Sequence, residues 1–154
     1  MTDHPTAAPY PALAGLRVID AMHPALITCS PESSLRTIAR MMATYRVHAI
    51  LVSAHGDEEL AGGGQWGIVS DADLLRAGEE GNVDEDQART LAARPVVTIP
   101  SSDELSRAAE LMVDRDVSHL IVIESRSGRP LGVLSTLDVV RALAGFPEQH
   151  PAFR

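Results

Sequence analysis

The chain repeats itself, and no other property limits its possible folds so strongly. Two segments align, Val18 to Gly78 and Ala88 to Gly145. Early in each copy the offset is 70 residues: Thr28 meets Thr98, Leu35 meets Leu105, Met42 meets Met112 and Val47 meets Val117. Later it is 65: Gly67 meets Gly132, Ser70 meets Ser135, Asp73 meets Asp138 and Arg76 meets Arg141. The first copy therefore carries five extra residues, in a stretch holding His55 to Glu59 and Gly62 to Gly64. Such an insertion belongs in a surface hairpin, because lengthening a loop adds little closure entropy.

Each copy predicts the same elements: a short helix (Val18 to Met22; Ala88 to Ala93), then a brief strand (Ile27 to Cys29; Val97 to Ile99). An amphipathic helix follows. Leu35, Ile38, Ala39 and Met42 fall at i, i+3, i+4 and i+7, and Leu105, Ala108, Ala109 and Met112 repeat the spacing. Ser101 and Glu104 have the spacing of a capping box before the second of these helices. Two apolar strands come next, Ala49 to Val52 with Trp66 to Val69, and His119 to Ile123 with Leu131 to Leu134. Continuous apolar runs of this length suit strands covered on both faces. A last helix closes each copy, Asp71 to Ala77 and Thr136 to Ala144.

The expected fold is thus α/β (α+β): helix–strand–helix–strand–strand–helix, twice. Each unit alone would expose an apolar sheet face, and packing the two sheets around a pseudo-twofold axis buries both. Clefts between two such halves are usual ligand sites. The division expected is a flexible N-terminal arm (1–16), repeat 1 (17–78), an acidic solvated linker (79–87), repeat 2 (88–145) and a C-terminal tail (146–154).

Composition narrows the function. At 154 residues and 45% hydrophobic content, one shared core is affordable without staples. The single cysteine, Cys29, cannot form an intrachain disulfide and is expected to pack as a small apolar side chain, which suits a reducing cytoplasm. No apolar run approaches the ~18 residues of a membrane span, and Met1 to Gly15 lacks a signal-peptide pattern. A net charge of −8 and 3% aromatic residues argue against a nucleic-acid surface. The six histidines show no metal-ligand spacing, so no metal is expected.

Near the end of each copy stands Gly67-Ile68-Val69-Ser70-Asp71-Ala72-Asp73, then Gly132-Val133-Leu134-Ser135-Thr136-Leu137-Asp138. Both sit at a strand-to-helix junction, where unpaired N–H groups and the helix dipole attract phosphate. Ser70 and Ser135 could add a hydroxyl. Asp73 and Asp138 could accept from the vicinal hydroxyls of a ribose. The same Ser-x-x-Asp is also a capping box, a purely structural device. The duplicated glycine favours the ligand reading, since a cap has no need of it.

In these motifs and across Val18 to Gly145 the chain resembles the cystathionine-β-synthase (CBS) domain family, whose ribose-phosphate signature is similar to Gly-x-x-Thr/Ser-x-x-Asp. The resemblance implies a disc-like module of two repeats with two clefts, commonly paired into homodimers. It implies adenine nucleotides (AMP, ADP or ATP) or S-adenosylmethionine as regulatory ligands, with no cofactor required. It places Thr28 and Thr98 on the cleft-lining first strands, with Ile27, Val97, Ile50 and Leu120 flanking the adenine. A proline frequent before the second strand's apolar run is replaced by Ala49 and His119, so the base pocket departs from the family pattern. His119, and less so His48, are candidates for a base or phosphate contact, although a packed or capping role is the blander alternative. Arg76 and Arg141 are expected to pair with the motif aspartates at i,i+3. No catalytic constellation stands out. The function expected is therefore a sensor acting on a separate protein in trans, with a dimerising adaptor whose clefts are vestigial as the alternative, and an enzyme least favoured.

Overall fold

The computed structural model describes residues 9–24, 26–54, 66–92 and 96–145. In order it forms α1 (Val18–Ala21), β1 (Thr28–Cys29), α2 (Leu35–Tyr45), β2 (Ala49–Ser53), β3 (Trp66–Ser70) and α3 (Asp71–Glu80). The second copy gives α4 (Ala88–Leu91), β4 (Thr98–Pro100), α5 (Leu105–Arg115), β5 (His119–Ile123), β6 (Pro130–Ser135) and α6 (Thr136–Leu143). Two three-stranded sheets result, β1-β2-β3 and β4-β5-β6, each with one parallel and one antiparallel pair. The expected α/β architecture is the observed one. The inserted stretch of the first copy (55–65) and the tail (146–154) lie outside the described residues.

Alternation along the strands sorts three cores. Ile50, Val52 and Val69 face α2 with Cys29, Leu35 and Ile38. Leu120, Val122 and Leu134 face α5 and α6 with Ile99 and Leu105. Between the sheets, Leu51 and Ile121 (equivalent residues at the early offset) form a third cluster with Leu26, Trp66, Ile68, Val96, Ile123 and Val133. The strands are covered on both faces, as their unbroken apolar runs require.

The short first helix of each copy packs on the other half. In the second copy Leu105 N–H donates to the Leu16 carbonyl (2.9 Å), and in the first Leu35 N–H donates to the Asp86 carbonyl (3.1 Å). Val18 N–H donates to Asp103 and Ala88 N–H to Ser33, at the same offset of 70. The two repeats thus exchange their leading segments. A helix start whose N–H groups meet a neighbouring main chain has less need of a side-chain cap.

That exchange corrects three expectations. Ser101 and Glu104 form no capping box: α5 begins after Glu104, whose main chain bridges Arg17 and whose side chain makes no cap, while its equivalent Ser34, bridged to Gln87, does cap α2. The arm is not loose over its described part, since Leu13, 1% exposed, is buried with Val18 in the second half's core. Burying such a side chain stabilises by about 1.5–3 kcal/mol. The linker is not simply solvated. Helix α3 runs on to Glu80, Arg36 N–H donates to the Val83 carbonyl, and the Arg36 guanidinium grips the Asp84 carboxylate with two hydrogen bonds. Cys29 is buried as expected, and burial pushes its thiol pKa up against an opposing hydrogen bond from Ser33.

Candidate nucleotide-binding site

Strand register decides what faces the space between the sheets. Paired residues share a face. Thr28 pairs with Leu51 and Thr98 with Ile121, so both threonines lie on the inter-sheet side, Thr28 half-buried and Thr98 exposed. Ser70 pairs with Ala49 and Ser135 with His119, two residues along from Leu51 and Ile121, which puts all four on that side too. Ile50 and Leu120 stand on the opposite side. Each is 0% exposed and enclosed by its own half's helices, as Ile27 and Val97 partly are. The expected adenine-flanking role does not fit them: a step of one residue reverses the face. The apolar side chains that do line the inter-sheet space are Leu51, Ile121, Ile68, Val133 and Trp66. Counting back by twos from Ser70 would have found Ile68 and Trp66 in the sequence.

Each Ser-x-x-Asp closes a complete capping box. Ser70 N–H donates to Asp73 Oδ2 (2.9 Å) and Asp73 N–H to Ser70 Oγ (3.2 Å). Ser135 N–H donates to Asp138 Oδ2 (2.8 Å) and Asp138 N–H to Ser135 Oγ (3.2 Å). Asp73 Oδ1 also accepts from Arg76 Nη2 at 2.8 Å, the expected i,i+3 pair. Burial raises the Asp73 pKa, but hydrogen bonds from Ser70 and Arg76 outweigh it and hold the carboxyl below its ordinary value. The cap reading is therefore realised at both motifs. Carboxylate and serine oxygens accept more than one hydrogen bond, so a closed box still offers acceptor capacity to a ligand hydroxyl.

The glycines have a structural cause that sequence reasoning missed. A Cβ on Gly132 would lie 2.2 Å from the His23 carbonyl oxygen, and one on Gly67 would lie 2.5 Å from Ala92 Cβ. His23 and Val133 exchange main-chain hydrogen bonds (2.9 and 3.1 Å), so the exchanged arm runs directly over Gly132. Both glycines make room for the other repeat's leading segment, and their duplication follows from that crossing without any ligand.

The two helix starts converge near the junction of the halves. His48 Nδ1 hydrogen-bonds Asp71 Oδ2 at 2.9 Å, and Asp71 N–H donates to the His48 carbonyl. His119 Nδ1 pairs with Ser118 Oγ at 2.9 Å, while its Nε2 is buried without a partner. Burial drives the His119 pKa down, opposed by the nearby carboxylates of Asp71, Asp138 and Asp73. The structure thus brings Asp73, His119, Ser135 and Asp138 into one neighbourhood. Among the described residues no cluster of three His, Cys, Asp or Glu side chains could hold a metal ion, and no helix is long and apolar enough to cross a membrane.

The family model for the CBS domain matches residues 18–80 and 88–145. An uncharacterised protein of Methanopyrus kandleri is 27% identical over 118 residues, which cover 75% of this chain. The chain spans 57% of that relative's length. Among solved structures, a CBS-domain protein of Pyrobaculum aerophilum complexed with AMP superposes with a TM-score of 0.68 at 23% identity, covering 84% of this chain and 99% of that one. A CBS-domain pair in complex with 5′-methylthioadenosine and S-adenosyl-L-methionine gives 0.69 at 20% identity, covering 84% and 96%. At these identities the likeness is one of fold.

Proposed function

Since this chain belongs to the CBS-domain family, we propose that it is a cytoplasmic regulatory module rather than an enzyme. It senses an adenosine-containing nucleotide such as AMP, ADP or ATP in the clefts between its halves and acts in trans on a partner protein. The observation that carries this reading is the convergence of two Ser-x-x-Asp helix starts near His119, with Ser70 and Ser135 on the same inter-sheet face as Thr28 and Thr98. Structural neighbours that hold AMP, or methylthioadenosine with S-adenosylmethionine, support the ligand class.

The test is the melting temperature with AMP, ADP, ATP and S-adenosylmethionine, with GMP and GTP as controls. Ligand at 100 times its dissociation constant adds about 2.7 kcal/mol of stability. Asp73→Ala or Asp138→Ala should weaken binding roughly ten- to a hundredfold, the loss of a hydrogen bond to a charged group. Binding unchanged in both variants would remove the ribose role from these carboxylates.

A second reading, a dimerising adaptor with vestigial clefts, is favoured by the closed capping boxes and by the packing reason for both glycines. The two readings share a homodimer. Its support is the apolar surface left by the helices: Leu75 (79% exposed) and its equivalent Val140 (54%), with Val113, Leu137 and Leu143. Light scattering of a Leu75→Glu, Val140→Glu variant should report a monomer where the unmodified chain is a dimer.

A further inference from the structure

Two buried polar side-chain atoms among the described residues lack a hydrogen-bond partner, Trp66 Nε1 and His119 Nε2. Trp66 packs into the apolar cluster between the sheets, whose other members offer it no acceptor. His119 stands where both helix starts meet. Asp71 and Asp73 reach it from the start of α3, Asp138 from the start of α6 and His48 from the turn before β2. Its Nδ1 is occupied by Ser118 Oγ, so the unmatched capacity lies wholly on Nε2. In either neutral tautomer that nitrogen is unsatisfied, as a donor or as an acceptor. Buried polar atoms left so are rare and call for an explanation.

The feature is one-sided. At the offset of 70, Ala49 occupies the place of His119, and Ala49 pairs with Ser70 as His119 pairs with Ser135. The related position therefore presents a methyl group and has nothing to protonate. At His119, burial favours the neutral ring while three carboxylates favour the cation. His48 adds to the preference for the neutral ring, and an acceptor at Nε2 would shift the balance toward the cation.

We propose that a nucleotide held between the halves supplies the missing acceptor to His119 Nε2, so that binding takes up a proton at this imidazole, for which the Ala49 side chain offers no counterpart. The inference rests on the nucleotide-sensing reading above. The proton comes from the buffer and completes the imidazolium. Nδ1–H then donates to Ser118 Oγ and Nε2–H to the ligand oxygen or nitrogen. Affinity consequently rises as pH falls.

The experiment is titration calorimetry with AMP from pH 6.0 to 8.0, in paired buffers of different ionisation enthalpy, on the full chain and on His119→Gln. Comparing the two proteins cancels the ionisation of the phosphate itself, whose second pKa is about 6. The unmodified chain should take up a fraction of a proton more per ligand than His119→Gln, and its affinity should rise roughly two- to tenfold further across this range, the factor for up to one unit of pKa change. His119→Asn, a second replacement without a titrating ring, should lose the same uptake. It also serves as the informative variant if His119→Gln does not fold. Proton uptake equal to that of the unmodified chain in His119→Gln or His119→Asn overturns the inference and leaves nucleotide sensing standing. Absence of heat and of any melting shift with every adenosine ligand overturns both.

Discussion

The two halves share a frame and differ in how each is closed. The first half's core is covered by the connector leading into α4, which is held by the chain at both ends. The second half's core is covered by the segment from Tyr10 to His23, which leads into the first half. At the junction the first half contributes Ala49 and the second His119. On the neighbouring strands β3 and β6 Trp66 corresponds to Leu131. Duplication has preserved the main-chain crossings that make the halves interdependent. On the inter-sheet side it has kept the threonines (28 and 98) and serines (70 and 135) and changed Ala49 against His119 and Trp66 against Leu131.

Interdependence is most exposed to test at the contact between the sheets. Leu51→Ala and Ile121→Ala each remove a fully buried side chain and should cost about 2–5 kcal/mol in urea unfolding. Because the two belong to one cluster, the double variant should depart from additivity by roughly 0.5–3 kcal/mol. Strict additivity would mean that the halves are energetically separate despite the exchange.

The glycine pair probes the difference in closure. Gly67→Ala and Gly132→Ala should each cost about 1–3 kcal/mol through overpacking, but by different routes. Gly132→Ala presses on the His23 carbonyl and should break the His23–Val133 main-chain pair. Hydrogen exchange should show lost protection at the His23, Val18 and Leu105 amides. Gly67→Ala presses on Ala92 and should expose the Ala92, Ala88 and Leu35 amides instead. Identical exchange patterns would mean that the two crossings do not open separately.

These cases also mark what the sequence could tell. The repeat located every strand and the starts of α2, α3 and α6, because offset and periodicity are local signals read twice, while the Ser101–Glu104 box misplaced the start of α5. The Ser-x-x-Asp boxes and the Asp73–Arg76 pair were legible for the same reason. The exchange of leading segments was not, since a helix that packs on its own half and one that packs on the other have the same pattern. The packing cause of the glycines was hidden for the same reason, since His23 and Ala92 lie in the other copy. The placement of Ile50 and Leu120 failed on phase. A run apolar at every position carries no mark of which alternate residues face the helices.

Smaller effects should be equal where the frame is equal. Ser70→Ala and Ser135→Ala each open a box with the same two main-chain bonds, at 2.8 to 2.9 Å and 3.2 Å. Each should cost about 0.5–2 kcal/mol, with Ser135→Ala at the larger end because Ser135 Oγ also donates to Asp138 Oδ2 at 3.0 Å. A large disagreement in thermal or urea unfolding would show that one motif has a duty beyond capping.

The finest difference should appear as a slope against pH. His119 has a folded pKa below its ordinary value of 6.5, with burial as the first cause. Between 6.5 and that lower value the unfolded chain binds more protons at this residue than the folded one, so stability falls as pH drops through 6.5 and levels off below the folded pKa. The depressed Asp73 carboxyl acts in a separate window. Its contribution is present above 3.8 and is lost only as pH falls from there toward its folded pKa. The interval from pH 7 down to 5 therefore separates His119 from Asp73, and the His119→Gln comparison picks out its share. Urea unfolding across that interval should show a decline in stability that His119→Gln flattens. If the variant kept the full decline, the titrating group would lie elsewhere, and the asymmetry between His119 and Ala49 would be one of shape alone.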